Sequence, residues 1–336
     1  MSTAIKTFWQ KSRRWLPGVI ISGAAIFLIL RLAKWQDIGT AIQSINPLVL
    51  AASFCFTILF LVTRAMAWRT ILEKKASFSQ TFWGLNVGYF LNNLFPLRAG
   101  EFGRAFLVGQ TSGLGTMHVL STVVIERAFD LAFAAGLMLS TLPLALQMEW
   151  AKPVSIITLV LVITGLLLLY LMARNNEKVH QWITKLGERI SLVKRFVVPQ
   201  LDALLRGLSV LVKPDQFLIC VFWIGLSWLM GVLNYYIVVL SFAPDAPLWW
   251  GAFVDAVLAM GIAIPSAPAA LGVFEAALVG ALSILGINSS IGIAFAIVMH
   301  FMQFIITGIL GLVGLTKEGK SLSSFFADIR QKPSVQ

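Results

Sequence analysis

Asn92-Asn93-Leu94-Phe95-Pro96-Leu97-Arg98-Ala99-Gly100-Glu101 interrupts an apolar run, 77–115, that would otherwise read as a membrane span. Proline removes a backbone donor and clashes with the preceding turn, so the run divides into two half-helices meeting near Pro96. A second apolar run, 250–287, is divided in the same way by Ile264-Pro265-Ser266-Ala267-Pro268-Ala269-Ala270-Leu271-Gly272. Broken backbone at membrane depth is tolerated only where protein or a wet cavity covers it. The two runs are therefore expected to be re-entrant broken-helix hairpins rather than simple spans.

Around these breaks lie six runs with about 20 mostly apolar residues, the length a spanning helix needs: 16–34, 47–68, 117–146, 153–173, 216–240 and 291–315. The run 117–146 exceeds an upright span, which predicts a tilt or a start at the surface. Of the 336 residues, 58% are hydrophobic and 12% charged, against about 25% charged in soluble domains. Too little charge remains to cover a soluble surface. The composition implies an all-α polytopic membrane protein, a single membrane domain over 1–336. It excludes a disordered chain, a nucleic-acid module and a secreted disulfide scaffold. The formal charge of +11, from 26 basic and 15 acidic residues, fits cytoplasmic connections rich in Lys and Arg and gives no reason to expect nucleic acid. Lys6, Lys11, Arg13 and Arg14 precede the first run, which is longer than a signal-peptide core and reads as a retained span. Cys55 and Cys220 sit in apolar runs and read as small buried hydrophobes rather than a disulfide. His118, His180 and His300 show no metal-ligand spacing; no metal or cofactor is expected.

Basic residues gather in the N-terminal tail, in the connection 64–75 (Arg64, Arg69, Lys74, Lys75), in 174–215 and in the tail from 316. The positive-inside rule then puts both termini and 174–215 in the cytoplasm of a cell in whose cytoplasmic (inner) membrane the chain sits. The six spans alternate only if each broken run enters and leaves on one side. This organises the chain as two oppositely oriented repeats, 47–146 with re-entrant 77–115 and 216–315 with re-entrant 250–287. Pro96 and Pro265 each stand 49 residues after the start of their repeat's first span, at 47 and 216. The plainer alternative is two ordinary hairpins with coincidental prolines. Between the repeats, 174–215 places Val179, Trp182, Ile183, Leu186, Ile190 and Val193 at helical spacing with Lys185, Arg189, Lys194 and Arg195 between them. That is an amphipathic cytoplasmic helix on anionic lipid, or a solvated hairpin.

Eight ionisable residues fall in the embedded parts: Arg98, Glu101, Arg104, Glu126, Arg127, Asp130, Asp255 and Glu275. Each costs at least about 2.5–3.5 kcal/mol on insertion scales, so each should face a cavity or a partner. Glu101 and Arg104, three apart, can pair. Gly100 and Gly103 permit close approach, and the half-helix start there favours an anion such as a carboxylate or phosphate. Glu126 and Asp130, four apart, share one helix face and need a cation, for which Arg98, Arg104 and Arg127 are candidates. Either these charges form a closed salt-bridge network that only holds helices together, or some arginine capacity remains for a phosphate headgroup, which guanidinium matches bidentately. Glu275 follows Gly272 as Glu101 follows the first break, and His300 reads as a satisfied core histidine. Asn92, Asn93 and Asn234 can bridge broken backbone or touch ligand. The glycines at 308, 311 and 314 suit helix packing.

Pro96-x-Arg98-x-Gly100-Glu101-x-x-Arg104, then Glu126-Arg127-x-x-Asp130, then Pro268-x-x-Leu271-Gly272-Val273-x-Glu275 resemble the signatures of the lysylphosphatidylglycerol synthase transmembrane region, the flippase-like membrane family. The resemblance covers nearly the whole chain. It implies a relative of the lipid-flipping half of an enzyme that adds lysine to phosphatidylglycerol through a separate cytoplasmic domain. With about 20 residues after the last span, aminoacyl transfer is not expected. The chain departs from the family at Ala269-Ala270, where a Gly pair is common; alanine disfavours positive φ, which argues against a tight left-handed turn there.

The function expected is flippase-like transport of a phosphate-bearing lipid, phospholipid or polyprenyl phosphate, with an anionic headgroup. Arg98, Arg104 and Arg127 would hold the phosphate, Glu101, Glu126 and Asp130 would position them or carry coupling protons, and Glu275 would complete the site. With no G-x-x-x-x-G-K-[ST] loop, a proton gradient or downhill exchange is the expected drive. The alternatives are a membrane-embedded headgroup-modifying enzyme, for which paired carboxylates offer acid–base chemistry, and a non-transporting accessory of an envelope lipid pathway.

Overall fold

The computed structural model describes residues 45–96, 98–146, 151–190, 212–264, 266–323 and 325, with isolated residues 23, 24, 27, 39, 40, 42, 43, 198, 201 and 205. Most of the expected span 16–34, most of 191–211, Leu97 and Pro265 lie outside the described residues. The regular secondary structure among the described residues is helical, and no strand occurs among them.

The first long helix, α1 (Pro47–Ile71), starts with proline at its first turn, where no amide partner is lost, and the Asn46 side chain caps the Leu48 N–H. It runs past residue 68, so Arg64 lies within the helix and not in a cytoplasmic connection as its neighbours Arg69, Lys74 and Lys75 suggest. Ser77 and Gln80 form a capping box that opens α2 (Phe78–Leu94). The break follows: Phe95 is extended, Arg98 is left-handed at φ 54, and α3 (Ala99–Thr111) leaves from it. Then come α4 (Thr116–Leu146), α5 (Ala151–Arg174) and α6 (Asn176–Arg189). The second half repeats the order with α7 (Pro214–Leu240), α8 (Trp249–Ala263), a 3-10 turn at Pro268–Ala270, α9 (Val273–Ile284) and α10 (Ser289–Lys317). Among the described residues four helices, α1, α4, α7 and α10, are long and apolar enough to cross a membrane. At 13 residues α3 rises about 20 Å, short of the roughly 30 Å hydrocarbon core, and α9 with 12 residues is shorter still.

Both breaks fall where proline and glycine put them, but the second is tighter than alanine suggests. Ala269 and Ala270 both take positive φ, 57 and 54, and Gly272 follows at φ 80. The left-handed turn argued against at this pair is present. Each alanine held there costs on the order of 1–2 kcal/mol, which packing around the turn must offset. The first break is closed by glycine: a Cβ on Gly100 would fall within 2.6 Å of Asn92 Oδ1 and nearer still to the Gly88 carbonyl. Only without side chains at 88 and 100 do α2 and α3 fold back on each other.

The helices pack as matching pairs. α1 lies along α7; α2 packs on α10 and α8 on α4; the two broken pairs close on themselves; α3 meets α4 as α9 meets α10. Gly311 of α10 sits against Phe90 and the Asn86 carbonyl of α2, and Gly314 against Trp83, so these two glycines serve packing, while a Cβ on Gly308 would point into open space. On α6, Val179 and Ile183 pack against the core beside Phe217 and Trp228, whereas Trp182 is exposed. Both cysteines are free; Cys220 is buried as expected, but Cys55 is exposed on the outer, apolar face of α1.

Candidate functional site

Six charged side chains from α1, α3 and α4 interlock. Glu126, fully buried, receives Arg64 Nε at 2.9 Å on one oxygen and Arg104 Nη1 at 2.9 Å on the other. Arg64 also donates to Asp130. Arg104 closes on Glu101 with Nη2 at 2.6 Å and lies over the Trp68 ring, 4.6 Å from its centroid. Arg127 reaches Asp130 at 3.1 Å, Glu126 at 3.4 Å and Glu101 at 3.5 Å. Three guanidinium groups thus meet three carboxylates, so the set has no net charge. The helical spacings foreseen are there, since Glu101 pairs with Arg104 and Glu126 and Asp130 share a face. The cation between those two carboxylates is Arg64, joined by Arg127; neither Arg98 nor Arg104 bridges them. Arg64 lies eighteen residues into α1, counting from Pro47, inside the about 20 residues of a span. The sequence reading left Arg64 in the basic connection; that depth is the signal that could have marked it as embedded.

Beside this network a cavity of about 500 Å³ opens between the two breaks, within the usual range for ligand pockets of roughly 300–1,000 Å³. Its wall carries Asn92, Asn93, Phe95 and Arg98 from the first break, and Ile264, Ser266, Ala267, Ala269 and Ala270 from the second. Aromatic rings of Phe56, Phe60, Trp228 and Phe304 supply much of the rest. Arg64, Glu101, Arg127 and Asp130 show one side to it. Arg104, expected to hold a phosphate, Glu126, expected to position the arginines, and Glu275, expected to complete the site, do not line it. Three polar atoms on the wall residues, Arg127 Nε, Asp130 Oδ1 and Trp228 Nε1, are buried without a hydrogen-bond partner among the described residues.

Arg98 differs from the other arginines. It meets no carboxylate among the described residues, and its Nη2 donates to the Ile262 carbonyl at the end of α8, 2.9 Å away. Its left-handed backbone, held at a cost of order 1–3 kcal/mol for a non-glycine residue, aims it across the break. Asn92 bridges broken backbone as foreseen, accepting the Gly100 N–H at 2.8 Å. Asn93 donates to Thr307 at 2.9 Å, tying the first break to α10. Asn234 accepts from Ser53, joining α7 to α1.

Glu101 and Glu275 are both the third residue of their returning helix. Glu275 accepts the Gly272 N–H at 2.7 Å and meets His300 Nδ1 at 2.6 Å with its other oxygen, while the Phe274 ring stacks on His300 at 4.3 Å. His300 is satisfied, and its far side lines the cavity. Asp255 of α8 lines it too, with its Oδ2 over Gly231 of α7.

The lysylphosphatidylglycerol synthase TM region family matches residues 15–311. A UPF0104 membrane protein of Methanothermobacter thermautotrophicus is 26% identical over 325 residues, covering 89% of this chain and 92% of its own. A second from that organism is 24% identical over 304 residues, with 86% and 90% covered. One from Methanocaldococcus jannaschii is 24% identical over 234 residues, 67% of this chain and 92% of its own. No solved structure matches the chain.

Proposed function

We propose a function from one premise: the chain belongs to the lysylphosphatidylglycerol synthase TM region family. It is an integral membrane protein, and the reading we draw is a flippase-like transporter rather than an enzyme. It moves a phosphate-bearing lipid, phospholipid or polyprenyl phosphate in type, across the cytoplasmic membrane without altering it.

The observation that carries this reading is Arg98, a guanidinium on the wall of an apolar cavity that pairs with no carboxylate among the described residues. A phosphate offers the bidentate partner it lacks. Arg127, half-buried on the same wall, is the second phosphate ligand. Glu101, Asp130 and the deeper Arg64, Arg104 and Glu126 fix that wall. The broken pairs α2/α3 and α8/α9 act as re-entrant hairpins, which their short lengths and the cavity between their breaks support. The matched packing of the two halves supports an inverted repeat of 47–146 and 216–315. The runs 16–34 and 153–173 complete six spans with both termini in the cytoplasm. Rocking of one repeat against the other exposes the cavity to each leaflet in turn, driven by a proton gradient or by downhill exchange.

Acyl-labelled lipid reconstituted with the protein in proteoliposomes tests this. Arg98→Ala with Arg127→Ala should lower translocation at least about tenfold, about 1.4 kcal/mol or more of lost interaction, in a protein that still folds. An unchanged rate in the double variant would reject the reading.

A further inference from the structure

We propose that the cavity binds a zwitterionic headgroup of the phosphoethanolamine type, with its phosphate on Arg98 and its ammonium on Asp255. This rests on the reading of the cavity as a lipid site, and it names the lipid class.

The argument starts from charge. Arg64, Arg104 and Arg127 are matched by Glu101, Glu126 and Asp130. Two charges on the cavity wall stay outside that closed set, Arg98 and Asp255. Among the described residues, neither forms an ion pair. Arg98 donates to the carbonyl of Ile262; Asp255 lies two turns earlier on the same helix, about 10 Å along its axis. The wall thus presents one guanidinium and one carboxyl group, set apart and facing the same space, and a bound ammonium would hold the carboxyl in its ionised form.

A carboxylate in an apolar wall is costly unless a counter-charge reaches it. Among the described residues Asp255 joins no group of His, Cys, Asp and Glu that could hold a metal, so an organic cation is the partner its surroundings suit. The two charges also select. A purely anionic headgroup on Arg98 would face Asp255 as a like charge, and a purely cationic one on Asp255 would face Arg98. Only a headgroup carrying both charges, in the order of the wall, satisfies both residues and offends neither. Gly231 keeps the second position open: a Cβ there would come within 2.6 Å of Asp255 Oδ2.

The test is native mass spectrometry of the full-length protein in detergent, titrated with phosphatidylethanolamine and phosphatidylglycerol of identical acyl chains. The wild type should favour phosphatidylethanolamine about tenfold. Asp255→Asn should abolish that preference by weakening phosphatidylethanolamine alone, and Asp255→Glu should keep it. Gly231→Ala, which leaves the carboxylate in place but crowds it, should reduce it. Arg98→Gln should weaken both lipids alike. Equal binding of the two lipids by the wild type, binding of neither, a preference for phosphatidylglycerol, or a preference that survives Asp255→Asn would overturn the proposal. Should Asp255→Asn fail to fold, an unchanged preference in Gly231→Ala would overturn it instead. If the preference holds but neither lipid crosses a proteoliposome bilayer, the headgroup assignment stands and the transport reading falls.

Discussion

Glu126 is the side chain on which the charged network depends, because it is fully buried and both its oxygens are held by guanidinium groups of different helices. Removing its charge strands Arg64 and Arg104, and breaking a buried pair costs about 3–5 kcal/mol. Glu126→Gln should therefore depress the thermal midpoint of the detergent-solubilised protein sharply, more than Arg98→Ala, which breaks no ion pair; equal midpoints would contradict the network. Most of this cluster was legible in the sequence, since Glu101/Arg104 and Glu126/Asp130 sit at helical spacings that force pairing. Arg64 was not, because it stands at the head of Arg69, Lys74 and Lys75 and looks like the start of a cytoplasmic connection. Its role depends on where α4 lies relative to α1, a contact 62 residues long in sequence that no local pattern encodes. The unpaired state of Arg98 was hidden for the same reason: three arginines near three acids do not say which one is left over.

The broken helices show what local chemistry does and does not fix. Proline and glycine marked both breaks within a few residues; α1 begins at the expected Pro47, and α7 begins two residues before the expected 216 because Pro214 seats itself at a first-turn position. The second turn was misjudged because alanine's reluctance for positive φ is a preference of 1–2 kcal/mol, within what tertiary packing can override. Steric exclusion is a firmer rule. Gly100→Ala would drive a methyl group into the Gly88 carbonyl and the Asn92 amide, so the α2/α3 hairpin should open. The expected result is loss of the folded protein from the membrane fraction, while Gly308→Ala, with open space around it, should accumulate normally. Equal yields of the two variants would mean that α2 and α3 do not approach as described.

At the scale of the whole molecule, the sequence disclosed an all-helical membrane protein with two broken apolar runs, because composition and the position of two breaks survive any uncertainty at element ends. It did not disclose the pairing that encloses the cavity, α2 with α10 and α8 with α4, in which each half supplies a wall to the other's broken helix. The interlocked set of three arginines and three carboxylates, all on α1, α3 and α4, has a consequence for bioenergetics. An element carrying one uncompensated charge through the full field would do work of about 2.3 kcal/mol per 100 mV. This set carries none, so a cycle that exchanges a zwitterionic lipid downhill, with no proton coupled and with Arg98 and Asp255 kept at one depth, is expected to be electrically silent. Imposing a potassium diffusion potential of either sign on proteoliposomes should leave the translocation rate unchanged, and a rate that scaled with voltage would show that a charge moves. A cell could then depolarise without stalling the protein, whose pace would follow lipid supply instead.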